Sequence, residues 1–194
     1  PQGNQSGYWQ AEFDNRYHTD VTIKVKAGGP KVNTTTAVAS GQVEFGLQAS
    51  DSVMLANAKG AGLKGIFVSL DHVPYTLVYH PNTGVNSVKD LDGRPFAVKM
   101  GVTYWKWVKH TYGLNNVKEF PLTGDLGLFA RTPQQFQQGY SLFLPARLDA
   151  KGVANEQITV ESLGYRPYSV LFTSDKMIKE NPELVQAVVD RLSI

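Results

Sequence analysis

Cysteine is missing from the 194-residue chain. Its absence removes disulfides, thiolate metal sites and thiol catalysis together, and fits an export route. Charge of one sign is also scarce. The 19 Lys and Arg against 17 Asp and Glu leave a net charge of +2, and the basic residues form no run that would track phosphates. A nucleic-acid partner is therefore not expected. No apolar segment approaches the length that crosses a bilayer, so the chain is not expected to span one. It opens on Pro1 rather than Met and carries no signal peptide, so a processed or trimmed chain is expected.

Catalytic constellations are equally scarce. His18, His72, His80 and His110 stand apart, with no H-x-x-x-H or H-E-x-x-H spacing. Asp71-His72 is the one acid–histidine neighbour pair, and adjacent residues on a strand face opposite ways; it reads as a loop pair. There is no G-x-S-x-G, no P-loop and no dinucleotide fingerprint. Gly60-Ala61-Gly62 precedes a strand pattern instead of following one. No catalytic residue, metal or cofactor is expected, and the chain reads as a non-enzyme.

What is present is a globular composition, 42% apolar and 19% charged, enough for one large domain or two small lobes. The organising stretch is Ala37 to Leu70. Val43, Phe45 and Leu47 alternate as a strand does, with Gly46 allowing close packing. Gln48-Ala49-Ser50-Asp51-Ser52 then bring side-chain oxygens to the start of a helix running to about Lys59. A strand, a polar loop and a helix N-terminus form the crevice in which open α/β sheets hold small ligands.

The rest repeats that arrangement. Residues 1–9 read either as a frayed end or as a ligand loop. A strand is expected at Val21–Lys26. A helix is then expected from Pro30 to Ser40, stopped by Gly41. Gly28-Gly29 before it reads as a bare tight turn or as an anion or carbonyl site at a helix start. Pro74–Tyr79 reads as a strand and Ser87–Gly93 as one capped helical turn closed by Gly. Phe96-Ala97-Val98 starts a second strand, Gly-loop, helix unit. Its helix buries Trp105, Val108 and Tyr112 on one face and leaves Thr103 and Tyr104 at its start as ligand candidates. Short strands follow near Val117, Phe136 and Ile158, and two amphipathic helices meet at Asn181-Pro182. The alternation predicts an α/β architecture.

The ordered set Gly7-Tyr8-Trp9-x-Ala11, Gly28-Gly29-Pro30, Val38-Ala39-Ser40-Gly41-Gln42-x-x-Phe45-Gly46, Gly84-Val85-x-Ser87, Asp90-Leu91-x-Gly93, Gln138-Gly139-Tyr140, Gly164-Tyr165-x-Pro167-Tyr168 and Asn181-Pro182-x-Leu184-Val185 covers nearly the whole chain. It resembles the substrate-binding proteins of the thiamine-pyrimidine-precursor family, beside the taurine, alkanesulfonate and nitrate binding components of ABC importers. The resemblance implies a two-lobed periplasmic-binding fold of type II, here expected without its first strand and C-terminal helices. Residues 1–84 would form lobe 1 and 85–163 lobe 2, with 164–194 returning to pack on lobe 1. The crossings would lie near Tyr79–Ser87 and Glu161–Tyr168, and closure would be a hinge motion burying a ligand between the lobes.

Carried onto matching positions, the resemblance nominates Asn4, Gln5, Trp9, Gly28, Gly29, Ser50, Asp51, Thr103, Tyr104, Gln138 and Tyr165 as ligand-binding. It implies a small-molecule ligand, an ABC permease partner and a periplasmic or extracellular location, with room for a lipid anchor outside this chain. The sequence departs from relatives at Phe143-Leu144-Pro145, where they often carry Ser-Glu before the proline. A pyrimidine precursor or related heterocycle suits Trp9, Tyr104 and Tyr165, whereas a sulfonate suits the helix starts at Pro30, Ser50 and Thr103. The same fold also serves fungal pyrimidine-precursor synthases that use pyridoxal phosphate. Those enzymes carry a cysteine-rich iron motif that this chain lacks.

Overall fold

The computed structural model describes residues 21–29 and 32–192. Two compact units are formed, one by the chain up to Asp71 together with the part from Pro167 onward, the other by His72–Arg166.

In the first unit, helix α1 (Thr34–Ala39) starts four residues later than Pro30 suggests. Its cap is Asn33, whose side-chain oxygen accepts from the Thr36 amide at 3.1 Å. An Asx cap satisfies a first-turn N–H, which a proline cannot do for the turn after it. Gly41, at φ 73°, takes the left-handed conformation that ends the helix region. Strand β1 (Phe45–Ala49) runs directly into helix α2 (Ser50–Asn57). The expected side-chain cap at this junction is not made, because the N-cap position falls on Ala49. Asn57 closes α2 onto strand β2 (Leu63–Leu70) by donating to the Leu63 carbonyl at 2.7 Å and accepting from the Leu63 amide at 2.8 Å.

The second unit opens with strand β3 (Tyr75–Tyr79). A 3₁₀ turn at Val88–Leu91 follows, closed by a reciprocal capping box between Ser87 and Asp90. Strand β4 (Pro95–Val98) leads through Gly101 into helix α3 (Thr103–Tyr112). Then come β5 (Lys118–Pro121), α4 (Gly127–Arg131), β6 (Phe136–Tyr140), α5 (Leu144–Asp149) and β7 (Glu156–Thr159). The sheet order is β5-β4-β6-β3-β7. β4 is parallel to β5 and β6, and β3 is antiparallel to β6 and β7. This pairing puts β3 in the second unit, so the units divide at 71/72 and 166/167 rather than after residues 84 and 163. One face of the sheet is covered by the 3₁₀ turn and by Tyr104, Trp105 and Val108 of α3. The other is covered by Leu126, Phe129, Leu144 and Leu148.

The chain returns to the first unit as β8 (Ser169–Ser174), α6 (Asp175–Glu180) and α7 (Pro182–Leu192). β8 is the middle strand between β1 and β2, antiparallel to both. Its Val170 and Phe172 pack with Val38, Val53 and Leu63 on one face. Leu171 packs with Val21 and Val188 on the other. A central strand covered on both faces reads as a continuous apolar run, as Val170–Phe172 does. Gly46 is required here, since a Cβ on it would lie 2.6 Å from the Phe172 ring.

Residues 21–26 correct the sequence reading. They belong to no described strand, although burial alternates from Val21 through Ile23 to Val25. Val21 and Ile23 still join the apolar layer against α7, so the alternation reports burial rather than strand pairing.

Candidate functional site

In the second unit the carboxyl ends of β4 and β6 lie at one edge of the sheet. Parallel pairing matches Phe96 with Phe136 and Ala97 with Gln137. The antiparallel pair of Tyr75 with Tyr140 brings the amino end of β3 to the same edge. The carboxyl edge of parallel strands is where α/β sheets bind ligands. Here α3 begins, with Val102 at its N-cap, no side-chain cap and no acidic residue in its first turn. The unfilled N–H groups and the positive dipole end suit an acceptor atom or an anion.

Three nominated residues meet at this edge. Thr103 and Tyr104 are the first two residues of α3, and Gln138 lies on β6. The Gln138 side-chain oxygen accepts from the Lys99 amide at 2.7 Å, which fixes the loop leaving β4 and turns its NH2 group into the remaining donor. Tyr104 is fully buried, so it is part of the core as well as of the helix start. Its ring stacks on Tyr75 at 4.6 Å, and Tyr75 stacks in turn on Tyr140 at 5.6 Å. Among the described residues its hydroxyl has no hydrogen-bond partner. Burial, and then the neighbouring Tyr75 and Tyr140 phenols, hold the Tyr104 hydroxyl well above the usual tyrosine range. Burial also raises Tyr140 and lowers the Lys99 amine.

Tyr165, in the segment after β7, packs its ring 5.0 Å from Trp107, one turn along α3 from Tyr104. The Tyr112 hydroxyl donates to the Leu163 carbonyl at 3.1 Å and ties the same segment to the helix.

Ser50 and Asp51 open α2 in the first unit. The Ser50 amide donates to the Tyr168 carbonyl at 2.9 Å. An Asp51 carboxylate oxygen accepts from the Ser52 amide at 2.6 Å. This helix start therefore already has a resident carboxylate, which disfavours a second anion. Gly28 and Gly29 are exposed, and the Gly29 carbonyl accepts from Val32 N at 3.0 Å. That geometry is the tight-turn alternative. Asn4, Gln5 and Trp9 lie outside the described residues.

Sequence reasoning missed Tyr75, Tyr140 and Lys99. Nothing local marks Tyr75 in a strand of Tyr, Thr, Leu and Val. Only the register that sets it opposite Tyr140 gives it a place here.

Two α/β units, one with a mixed sheet and an uncapped helix start at its carboxyl edge, define the periplasmic-binding-protein fold. Solved structures agree. The periplasmic aliphatic sulphonate binding protein SsuA of Escherichia coli superposes with a TM-score of 0.73 at 15% identity, over 98% of this chain and 64% of that one. The alkanesulfonate-binding protein SsuA of Xanthomonas axonopodis pv. citri, bound to MOPS, gives 0.74 at 17% identity, over 97% and 68%. The Candida albicans CA3427 gene product, described as having the generic periplasmic binding protein fold, gives 0.71 at 14% identity, over 99% and 67%. The chain thus spans just under two thirds of the Escherichia coli protein. Residues 17–193 match the NMT1/THI5 like family, and the chain belongs to that family. No curated protein matches it.

Proposed function

We propose that this protein is the solute-binding component of an ABC importer, in the periplasm or at the cell surface. Its ligand would be a small polar heterocycle of the pyrimidine or thiamine-precursor type, delivered to a membrane permease without chemical change. The observation that carries this reading is the uncapped start of α3 beside stacked tyrosines. Free N–H groups supply donors to ring nitrogens or carbonyls, and aromatic faces supply stacking for a flat ring. Ser50 and Asp51 at the start of α2 in the first unit are carried as ligand candidates by the resemblance. Thr103, Gln138 and Tyr165 complete the set in the second unit. Gly28, Gly29 and Ser50 remain backbone candidates in the first, with Asn4, Gln5 and Trp9 carried by the resemblance alone. Among the described residues no helix is long and apolar enough to cross a membrane, which fits a receptor whose permease is a separate chain.

A sulfonate-type anion is the second reading. It is favoured by the absence of an acid in the first turn of α3 and by the sulfonate-binding proteins of similar fold. The test is a thermal-shift series with pyrimidines, alkanesulfonates, taurine, nitrate, flavins and pyridoxal phosphate. A ligand at 100 times its Kd adds about 2.7 kcal/mol of stability. A selective pyrimidine response supports the heterocycle, and a selective sulfonate response replaces it with the second reading. A visible absorbance band with pyridoxal phosphate would reopen the enzyme alternative.

A further inference from the structure

We propose that Glu161 is a clasp that fastens the two crossings between the units to each other, so that they bend together as one hinge. The chain enters the second unit at His72 and leaves it at Arg166, and both of these residues face this one carboxylate. His72 Nε2 lies 3.2 Å from Glu161 Oε2, and Arg166 Nε lies 3.4 Å from Glu161 Oε1. Each carboxylate oxygen thus serves one crossing. The device is independent of which ligand the protein takes.

The clasp falls where backbone pairing stops. On the first-unit side the crossings are joined by the ladder pair of Leu70 with Ser169, and the Ser69 hydroxyl donates to that of Ser169 at 3.0 Å. On the second-unit side the last ladder pair of β3 and β7 is Thr76 with Thr159, and the Val160 amide then donates to the Tyr75 carbonyl at 2.9 Å. Leu163 and Tyr165 are held against α3 by Tyr112 and Trp107. Residues 71–73 and 166–167 remain between these ties. Pro74 and Pro167 bound them, and a proline holds the residue before it to extended backbone. Little bending room is left besides the positions that the clasp spans.

Two compact units joined by short crossings move relative to each other by default. Separate crossings allow bending and twisting, whereas crossings fastened to each other bend as a pair. One exposed ion pair contributes little, but here a single carboxylate closes two contacts. The His72 and Glu161 side chains are 45% and 36% exposed, so salt weakens the clasp without water abolishing it. A small bias is enough, because the bending of a hinge is itself a low-energy motion. Among the described residues the pairs Lys109 with Glu119 and Lys176 with Glu180 touch neither crossing, which makes them controls.

The chain has no cysteine, so a spin-label pair can be placed cleanly, one label in each unit, through Lys59→Cys and Lys151→Cys at exposed positions. The distance distribution of this labelled protein, without ligand, is the readout. Glu161→Ala should raise the population outside the parent peak about two- to fivefold, and Glu161→Gln, which keeps a polar group, should raise it less. Salt at about 1 M should broaden the parent distribution and leave that of Glu161→Ala unmoved. The double variant His72→Gln with Arg166→Gln should match Glu161→Ala, and adding Glu161→Ala to it should change nothing further. Lys176→Gln should leave the parent distribution as it is. A distribution unchanged in Glu161→Ala overturns the inference, as does equal broadening in Lys176→Gln. Where Glu161→Ala fails to fold, the His72→Gln and Arg166→Gln pair decides alone, and an unchanged distribution there overturns the clasp.

Discussion

The Gln138 side chain and the Lys99 backbone are joined by a 2.7 Å hydrogen bond that ties β6 to the loop leading into α3. Gln138 is buried, so the bond is shielded from water. Gln138→Leu should leave the Lys99 amide without its acceptor and cost about 1–3 kcal/mol. Gln138→Glu keeps an acceptor and should lose less. Urea unfolding of the two variants separates them, and ligand affinity should fall with the loop's loss of order in Gln138→Leu.

Gly46 faces Phe172 and Thr34 so closely that an added Cβ would sit 2.6 Å and 2.8 Å from their side-chain carbons. Gly46→Ala should therefore destabilise by about 1–3 kcal/mol through overpacking. Gly29→Ala is the contrast, with nothing within 4 Å of its Cβ. It should change stability by less than about 0.5 kcal/mol. A loss of ligand affinity in Gly29→Ala would return Gly28-Gly29 from turn to site.

The Tyr104 phenol should also be visible in the pH dependence of folding. Its folded pKa is raised by burial, so the folded state keeps the neutral form that the unfolded chain gives up above about pH 10. Its contribution is fully present below that pH and is lost as the pH rises toward the raised folded value. Tyr104→Phe should lessen the alkaline loss of stability in unfolding curves taken at rising pH. An unchanged alkaline slope would mean that Tyr104 ionises alike in both states.

Asp90 gives the acid counterpart. Amides of Asn86 and Ser87 donate to its carboxylate at 2.9 Å and 2.8 Å and hold its pKa below the ordinary value. This stability is present above the unfolded aspartate pKa of about 3.9 and is lost as pH falls through the lower folded value. Asp90→Asn should flatten the acid limb of the stability profile. An acid limb identical to wild type would show that the capping box has no share in it.

The sequence by itself determined what depends on near neighbours. Strand, loop and helix succeed one another at Phe45–Asn57 and again at Pro95–Tyr112 because alternating apolar residues, glycine stops and helix-forming runs act over a few positions. The Ser87–Asp90 box closes over four residues and was legible for the same reason. Even locally, two competing starts can be confused, as Pro30 was for Asn33. The pattern at Val21–Lys26 shows that alternation encodes which side chains are buried, and leaves the pairing partner open.

Only the tertiary structure decided which distant residues share an edge. Tyr75 meets Tyr140 across 65 positions because β3 pairs antiparallel with β6 in one register. A slip of one residue would turn the ring to the opposite face. The same pairing moved β3 into the second unit and set the division at Asp71 and Arg166. Tyr104 reads from the sequence as a ligand candidate at a helix start. It became a buried hydroxyl only when two strands brought their own tyrosines against it, a consequence of packing that no local pattern in the chain records.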